Sequence, residues 1–165
     1  MVAATSSGTA KVTLPADDQI LITREFAAPR HLVYEAWTTP ELVRRWWAAD
    51  MGEVTHAEID LRVGGTWRYV MVTNDDFEVA FHGTYKEIVP NERIVSTEAY
   101  EGVPDPDANA TLNTATFDED EGRTTLTILV QCPSQEVRDA IIQSGMEHGM
   151  QRSMDFLEQV AISLA

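Results

Sequence analysis

Residues 53–73 read EVTHAEIDLRVGGTWRYVMVT, and this stretch decides the fold class. Two runs rich in β-branched and aromatic residues flank Gly64 and Gly65, which is a typical hairpin pattern. Antiparallel strands can be joined by so short a turn, whereas parallel strands need a long crossover connection. The stretch therefore predicts an antiparallel sheet.

Strand patterns continue on both sides of this hairpin. The run QILITREF (19–26) alternates well enough to form a first strand, and Pro90-Asn91-Glu92 is a turn signal between two later strands. The later runs are FEVAFHGTYKEIV (77–89), RIVSTEAY (93–100), ATLNTATF (110–117) and RTTLTILVQ (123–131). The sequence thus predicts one strand, then six further strands, with no internal repeat.

Helices are predicted at two places. After the first strand, Pro29 and Pro40 each stand where a proline is tolerated at a helix start, so residues 29–47 predict two short helices. Ser134 is a plausible N-cap for a single long helix that runs to about Ser163. Its expected buried stripe is Ile142, Met146, Met150, Met154, Leu157, Val160 and Leu164. Its expected solvent-facing charges are Glu136, Arg138, Asp139, Glu147, Arg152 and Glu158.

The composition of the chain disfavours some classes of binding partner and favours one cellular location. The 165 residues carry 27 acidic and 12 basic side chains, a formal charge of −15 that disfavours nucleic acid and anionic membrane surfaces as partners. The lone Cys132 and the absence of a signal-peptide pattern favour the cytoplasm. Residues 1–18 lack a hydrophobic period and are expected to form a mobile tail, followed by a single domain over 19–165. Together these patterns predict an α+β protein.

Four segments resemble the START-like or SRPBCC superfamily and, within it, the family named after homologues of the activator of the heat-shock-protein-90 ATPase. They are REFAAPRHLVYEAWTTPELVRRWW (24–47), EIDLRVGGTWRYVM (58–71), HGTYKEIVPNERIV (82–95) and GMEHGMQRSMDFLEQ (145–159). The resemblance implies a Bet v 1-like helix-grip fold: a curved antiparallel sheet wrapped around a long C-terminal helix, with a cavity between them. One departure is Ala48-Ala49-Asp50, which stands where the family often has Gly-Pro after the tryptophan pair.

Several side chains are candidates for the wall of that cavity. Trp67, Tyr69 and Met71 share one face of a strand by period two, and the implied fold suggests that this face is concave. Aromatic and thioether side chains suit a small apolar ligand, although the same residues could fill a solid core. The full set of candidates is Trp37, Trp46, Trp47, Trp67, Tyr69, Met71, His82, Met146, Met150 and Met154.

No catalytic residue, metal site or cofactor is predicted. The four histidines, His31, His56, His82 and His148, show none of the paired spacings typical of zinc ligands, and His82 and His148 are the ones for which a cavity position is of most interest. Glu87 and Glu98 are candidates for buried carboxylates, but most strand carboxylates face solvent. Adjacent tryptophans at 46 and 47 project about 100° apart, so one is expected in the core and the other in a lid or an exposed patch.

Three functions remain open on the sequence. The first is a non-catalytic protein that binds a small hydrophobic or aromatic molecule, with monomer and homodimer both open. The second is an interaction module that assists a chaperone, as the family name suggests. The third is a cyclase- or hydrolase-like enzyme with a cavity histidine or glutamate as its acid or base.

Overall fold

The computed structural model describes residues 10–165 as eight strands and four helices. The strands are β1 (Lys11–Thr13), β2 (Gln19–Phe26), β3 (Gly52–Ile59), β4 (Thr66–Thr73), β5 (Glu78–Val89), β6 (Arg93–Tyr100), β7 (Thr111–Asp120) and β8 (Arg123–Gln131). The helices are α1 (Arg30–Thr38), α2 (Pro40–Trp46), α3 (Gln135–Gln143) and α4 (Met146–Ser163). The predicted α+β class is confirmed.

All eight strands form one antiparallel sheet in the order β1-β2-β8-β7-β6-β5-β4-β3. The long connection from β2 to β3 carries α1 and α2, and every later neighbour along the sheet from β3 to β8 is a hairpin partner. Side chains alternate between the two faces of each strand, as in β8, where every second residue is buried. The sheet therefore has one inner face, over which the helices lie.

The expected mobile tail over residues 1–18 is partly wrong. Residues 1–9 lie outside the described residues. Lys11–Thr13 pair with β2, and Ala10 is buried, its backbone N–H and carbonyl both bonded to the side-chain amide of Gln151. The folded domain therefore begins before residue 19, because a short edge strand with a single apolar residue gives no clear sequence pattern.

The prediction of a single long C-terminal helix is also wrong, because this part of the chain forms two helices, α3 and α4. Gly145 adopts a left-handed conformation with φ of 81°, which ends α3 and starts α4 in a new direction. The predicted stripe holds in α4, where Met154, Leu157 and Val160 are buried, but Ile142 of α3 is exposed. A helical period that continues across a glycine does not reveal such a break.

Two charges expected in solvent are buried instead. Glu158 is fully buried, where it accepts from Arg24 of β2 at 3.1 Å and from the backbone N–H of Ala27 at 2.8 Å. Arg138 of α3 is buried, and its Nη1 donates to the carbonyl of Ala16 at 2.9 Å. Both interactions join chain segments more than 120 residues apart.

No helix of the described chain is both long enough and apolar enough to cross a membrane.

Candidate functional site

A cavity of about 1090 Å³ lies between the inner face of the sheet and the helices. Strands β2 and β4 to β8 contribute to its wall, and residues of all four helices close it from the other side. The space between sheet and helices is thus not filled by side chains. Its volume is slightly above the usual range of about 300–1,000 Å³ for small-molecule pockets.

The predicted face of β4 lies in the wall. Trp67, Tyr69 and Met71 all line the cavity, and the rings of Trp67 and Tyr69 are 4.8 Å apart. The ring of Trp47 packs edge-on against Tyr69 at 5.4 Å and against Phe81 of β5 at 5.8 Å. This aromatic cluster holds its members in defined positions, since such pairs add stabilisation beyond simple burial.

The three tryptophans of α1 and of the end of α2 line the cavity from different directions. Trp46 is buried, stacks on Trp37 at 5.3 Å and donates its indole N–H to the carbonyl of Ala36. Trp47 is only partly buried and points toward β4 and β5. Trp46 lies in the core, as expected for one of the pair, whereas Trp47 forms no exposed patch and its expected position in a lid stays a prediction.

The predicted methionines lie on the cavity side of α4. Met146, Met150 and Met154 line the wall, and Met154 is the most deeply buried of the three. Met51, which sequence reasoning did not select, also lines the wall and reaches Gly149 of α4. Flexible thioethers on this side face the rigid aromatic rings of the sheet.

The placement of His82 in the cavity wall is wrong. Its neighbour Phe81 faces the cavity, so the alternation of β5 turns His82 to the outer face of the sheet. There Nε2 contacts Asp107 at 2.6 Å and Nδ1 contacts Glu101 at 2.8 Å. The carboxylates of Asp107 and Glu101 raise the pKa of His82, because both favour the imidazolium.

None of the four histidines lines the cavity, although all of them lie in the described part of the chain. His31 and His148 are exposed, and His56 lies 3.5 Å from Glu58 at the surface. Between residues 10 and 165, no three side chains of the kinds that ligate metals come together as a metal site would require.

The most deeply placed charged group in the wall is Glu98. It lies on the inner face of β6 with Ile94, Ser96 and Tyr100, at the spacing of two that one face of a strand requires. Asn113 of β7 donates from Nδ2 to Oε1 of Glu98 at 2.9 Å. Burial raises the pKa of Glu98, and the Asn113 bond opposes that rise only in part.

A short hydrogen-bonded chain holds this carboxyl group in place. The hydroxyl of Thr111 donates to Oδ1 of Asn113 at 2.8 Å, which fixes the amide so that its nitrogen faces Glu98. The register places Thr111 opposite Glu98 and Asn113 opposite Ser96. Sequence reasoning considered Glu98 but missed Asn113 and Thr111; the alternation of β6 and β7 was the available signal.

Two phenols in the wall, those of Tyr69 and Tyr85, stay neutral at physiological pH because their pKa values are raised. Burial is the main cause that raises the pKa of Tyr69 well above its ordinary value, and the charge of Glu98 adds to the rise. Burial likewise raises the pKa of Tyr85. Glu98 and the ring of Tyr69 are therefore close enough to influence each other electrostatically.

The loop after the tryptophan pair is tied to α4. Asp50, in the Ala48-Ala49-Asp50 segment that departs from the family pattern, forms an ion pair with Arg152. This pair lowers the pKa of Asp50. Ser153 donates its hydroxyl to the carbonyl of Trp47 at 2.7 Å. The two contacts fix the position of Trp47 relative to the methionine side of the cavity.

The curved antiparallel sheet, the C-terminal helix and the cavity between them define a START-like domain with the helix-grip fold, as the sequence predicts. Residues 27–161 match the model of the family described as Activator of Hsp90 ATPase homolog 1-like protein, and the chain belongs to that family. No curated protein matches the chain in sequence.

Solved structures from several bacteria share the fold. A protein from Rhodobacter sphaeroides is similar with a TM-score of 0.83 and 24% identity, over 93% of this chain and 99% of that one. A Mycobacterium smegmatis protein has a TM-score of 0.82 and 22% identity, over 93% and 96% of the two chains. A Chromobacterium violaceum protein has a TM-score of 0.75 and 26% identity, over 88% and 98%.

Proposed function

We propose that this protein binds a small hydrophobic or aromatic molecule in the cavity between its sheet and its C-terminal helices. The observation that carries the proposal is the open volume of about 1090 Å³ behind a wall of tryptophan, tyrosine and methionine side chains. A solid core of the same composition would have been explained by stability alone.

The composition of the wall suits this role. An apolar ligand that enters such a cavity leaves water and gains about 25 cal/mol for each Å² of apolar surface buried. Rigid aromatic rings on the sheet side give shape, while Met150 and Met154 on α4 can adjust to ligands of different outline. A few polar groups, chiefly Glu98 and Asn113, are available to orient a ligand.

One observation favours a second candidate, an enzyme that uses acid–base chemistry. Glu98 is a cavity carboxyl with a raised pKa and a hydrogen-bonded partner, which are properties of a general acid. Turnover of a bound ligand that is lost in Glu98→Gln while binding persists would support this candidate. Unchanged ligand after long incubation with the wild-type protein would support binding without catalysis.

The binding proposal is tested by filling the cavity. Ser96 faces the cavity from β6, and Thr114 of β7 faces the other side of the sheet. Ser96→Phe should abolish binding of a neutral aromatic probe such as 1-methylpyrene, and Thr114→Phe is the matched control that should retain it. Binding is read from probe fluorescence and from the rise in unfolding temperature that a ligand of the folded state produces.

Two results would contradict the proposal. One is that 1-methylpyrene and related aromatic probes neither bind nor raise the unfolding temperature of the wild-type protein. The other is that Ser96→Phe folds normally and binds the probe as well as Thr114→Phe does, because the probe would then be held elsewhere.

A further inference from the structure

The charges in the cavity wall are all of one sign. Glu98 lies deep in the wall, and Asp105 and Glu136 stand exposed at its rim. Among the described residues that line the cavity there is no lysine, arginine or histidine. A ligand with a carboxylate, sulfate or phosphate group would therefore bring a negative charge into a space that offers it carboxylates and no cation.

Glu98 is prepared to accept from a ligand. Asn113 occupies Oε1, and no described residue donates to Oε2. The hydroxyl of Thr111 fixes the amide of Asn113, and that amide donates to Glu98. The carboxyl group of Glu98 therefore cannot turn away without breaking its hydrogen bond to Asn113. The group is thus held in an orientation that leaves acceptor capacity for a donor inside the cavity.

The aromatic surroundings favour a cationic donor over a neutral one. Tyr100 follows Glu98 on the same face of β6, and Tyr69 is near enough that the charge of Glu98 affects its pKa. The faces of aromatic rings attract an ammonium group, and a carboxylate beside them neutralises it. An apolar space with one carboxylate is a site where a buried ammonium finds its counter-charge.

We infer that the cavity selects lipophilic amines, with the ammonium group paired to Glu98 and the apolar body packed against the aromatic wall. This inference rests on the proposed binding function and names its class of ligand. Lipophilic carboxylates and phosphates are the class that the cavity rejects.

The test uses three probes with the same ring system: 1-pyrenemethylamine, 1-methylpyrene and 1-pyrenecarboxylate. Fluorescence titration gives the dissociation constant of each for the wild-type protein. The amine, protonated at neutral pH, should bind about 10-fold or more tightly than the carboxylate, as expected for one charge-assisted hydrogen bond. This preference should persist at about 0.5 M salt, where the field of exposed charges is screened.

Variants separate the cavity carboxylate from the general acidity of the protein. Glu98→Gln keeps the oxygen that accepts from Asn113 and should weaken the amine by about 10-fold. It should leave 1-methylpyrene within about 2-fold, because no charge contacts that probe. Glu53→Gln removes the same charge from an exposed position on β3, outside the cavity wall, and is the matched control, with little effect on any probe.

The outcomes distinguish this inference from the proposed function. If 1-methylpyrene binds but the carboxylate binds as tightly as the amine, the cavity binds apolar molecules and the inference is overturned. Loss of the amine preference at high salt overturns it too, since the −15 charge of the chain would then account for the preference. If none of the three probes binds, the proposed function itself fails. The salt measurement uses wild-type protein, so it decides the question even if Glu98→Gln does not fold.

Discussion

The guanidinium of Arg24 donates to the carboxylate of Glu158 at 3.1 Å, across 134 positions of sequence. The two side chains are almost completely buried, and the other carboxylate oxygen accepts from the backbone N–H of Ala27 at 2.8 Å. Arg24 also contacts the half-exposed Asp155 at 3.0 Å and lies over the ring of Phe26. This group fastens α4 to the first long strand of the sheet.

Replacement of Glu158 by leucine should strongly destabilise the protein. The variant removes the fully buried carboxylate that faces the guanidinium of Arg24, while the contact of Arg24 with the partly exposed Asp155 stays in place. Removal of one member of a buried ion pair costs about 3–5 kcal/mol of unfolding free energy. Urea unfolding measures the loss. Asp155→Asn is the control and should cost less than about 1 kcal/mol; equal losses in the two variants would contradict this account.

Alanine at Gly83 should destabilise the sheet beside the aromatic wall. A Cβ atom there would lie 1.9 Å from the carbonyl oxygen of Thr97 and 2.5 Å from Nε1 of Trp67, so the backbone must shift. Overpacking of this kind costs about 1–3 kcal/mol. Gly149→Ala is the control, because its Cβ would meet Met51 at an ordinary 3.6 Å and replaces a glycine within a helix. That variant should be stabilised by about 0.5–1 kcal/mol, measured by urea unfolding. Similar effects at both positions would show that the close approach at Gly83 is relaxed easily.

The raised pKa of Glu98 predicts a dependence of stability on pH. The folded protein holds the proton of Glu98 more tightly than the unfolded chain does. The contribution of Glu98 to the unfolding free energy is therefore complete at pH values below the ordinary carboxyl pKa. It falls as the pH rises toward the raised pKa of the folded state. Glu98→Gln lacks this contribution. The unfolding free energy of Glu98→Gln relative to wild type should increase over that interval and level off above it; a constant difference would mean that burial does not shift this group.

His82 should hold the loop after β6 in a pH-dependent way. The groups that face it are Glu101 and Asp107 of that loop and Arg68 of β4, which bonds Glu101 at 2.9 Å. The raised pKa of His82 means that its stabilising contacts are complete below the ordinary histidine pKa and weaken as pH rises through the raised value. Because these side chains are partly exposed, their contacts contribute about 1 kcal/mol or less to the stability of the loop.

Amide hydrogen exchange over residues 101–110 measures this contact. Corrected for intrinsic rates, exchange should accelerate by up to about 5-fold as pH rises through the raised pKa of His82. His82→Gln should show the faster exchange at every pH. His56→Gln alters a half-exposed histidine that faces Glu58 elsewhere and serves as the control. Wild-type protection that does not change across this range would refute the prediction.

The parts of the site that sequence could predict follow from strict periods. The sequence predicted correctly which face of β4 points inward. Trp67, Tyr69 and Met71 share that face, and they alternate with the charged Arg68, which is exposed. In β5 the apolar residues occur on both faces, as Ala80 and Phe81 do, so periodicity could not exclude His82 from the cavity. The position of His82 depends instead on which face of the curved sheet is concave.

The parts that sequence could not predict depend on partners distant in the chain. Glu158 has the helical position of a solvent-facing charge, and its burial is explained by two distant partners, Arg24 of β2 and the backbone N–H of Ala27. Asn113 becomes part of the site through its register opposite β6. The break at Gly145 left no trace in the helical period, since Met146 continues the stripe at the expected spacing.

The left-handed glycine at position 145 separates two tasks that one continuous helix would have combined. Beyond it, α4 carries the deeply buried Leu157 and the anchor at Glu158, whereas α3 buries a single residue, Arg138. Substitutions on the cavity side of α3, such as at Val137 or Ile141, thus alter the cavity wall at a smaller cost in stability than substitutions of the fully buried residues of α4. Changes of ligand preference within this fold therefore cost the least unfolding free energy when they occur in α3, which precedes the glycine. Selection on stability acts mainly on α4, which follows it.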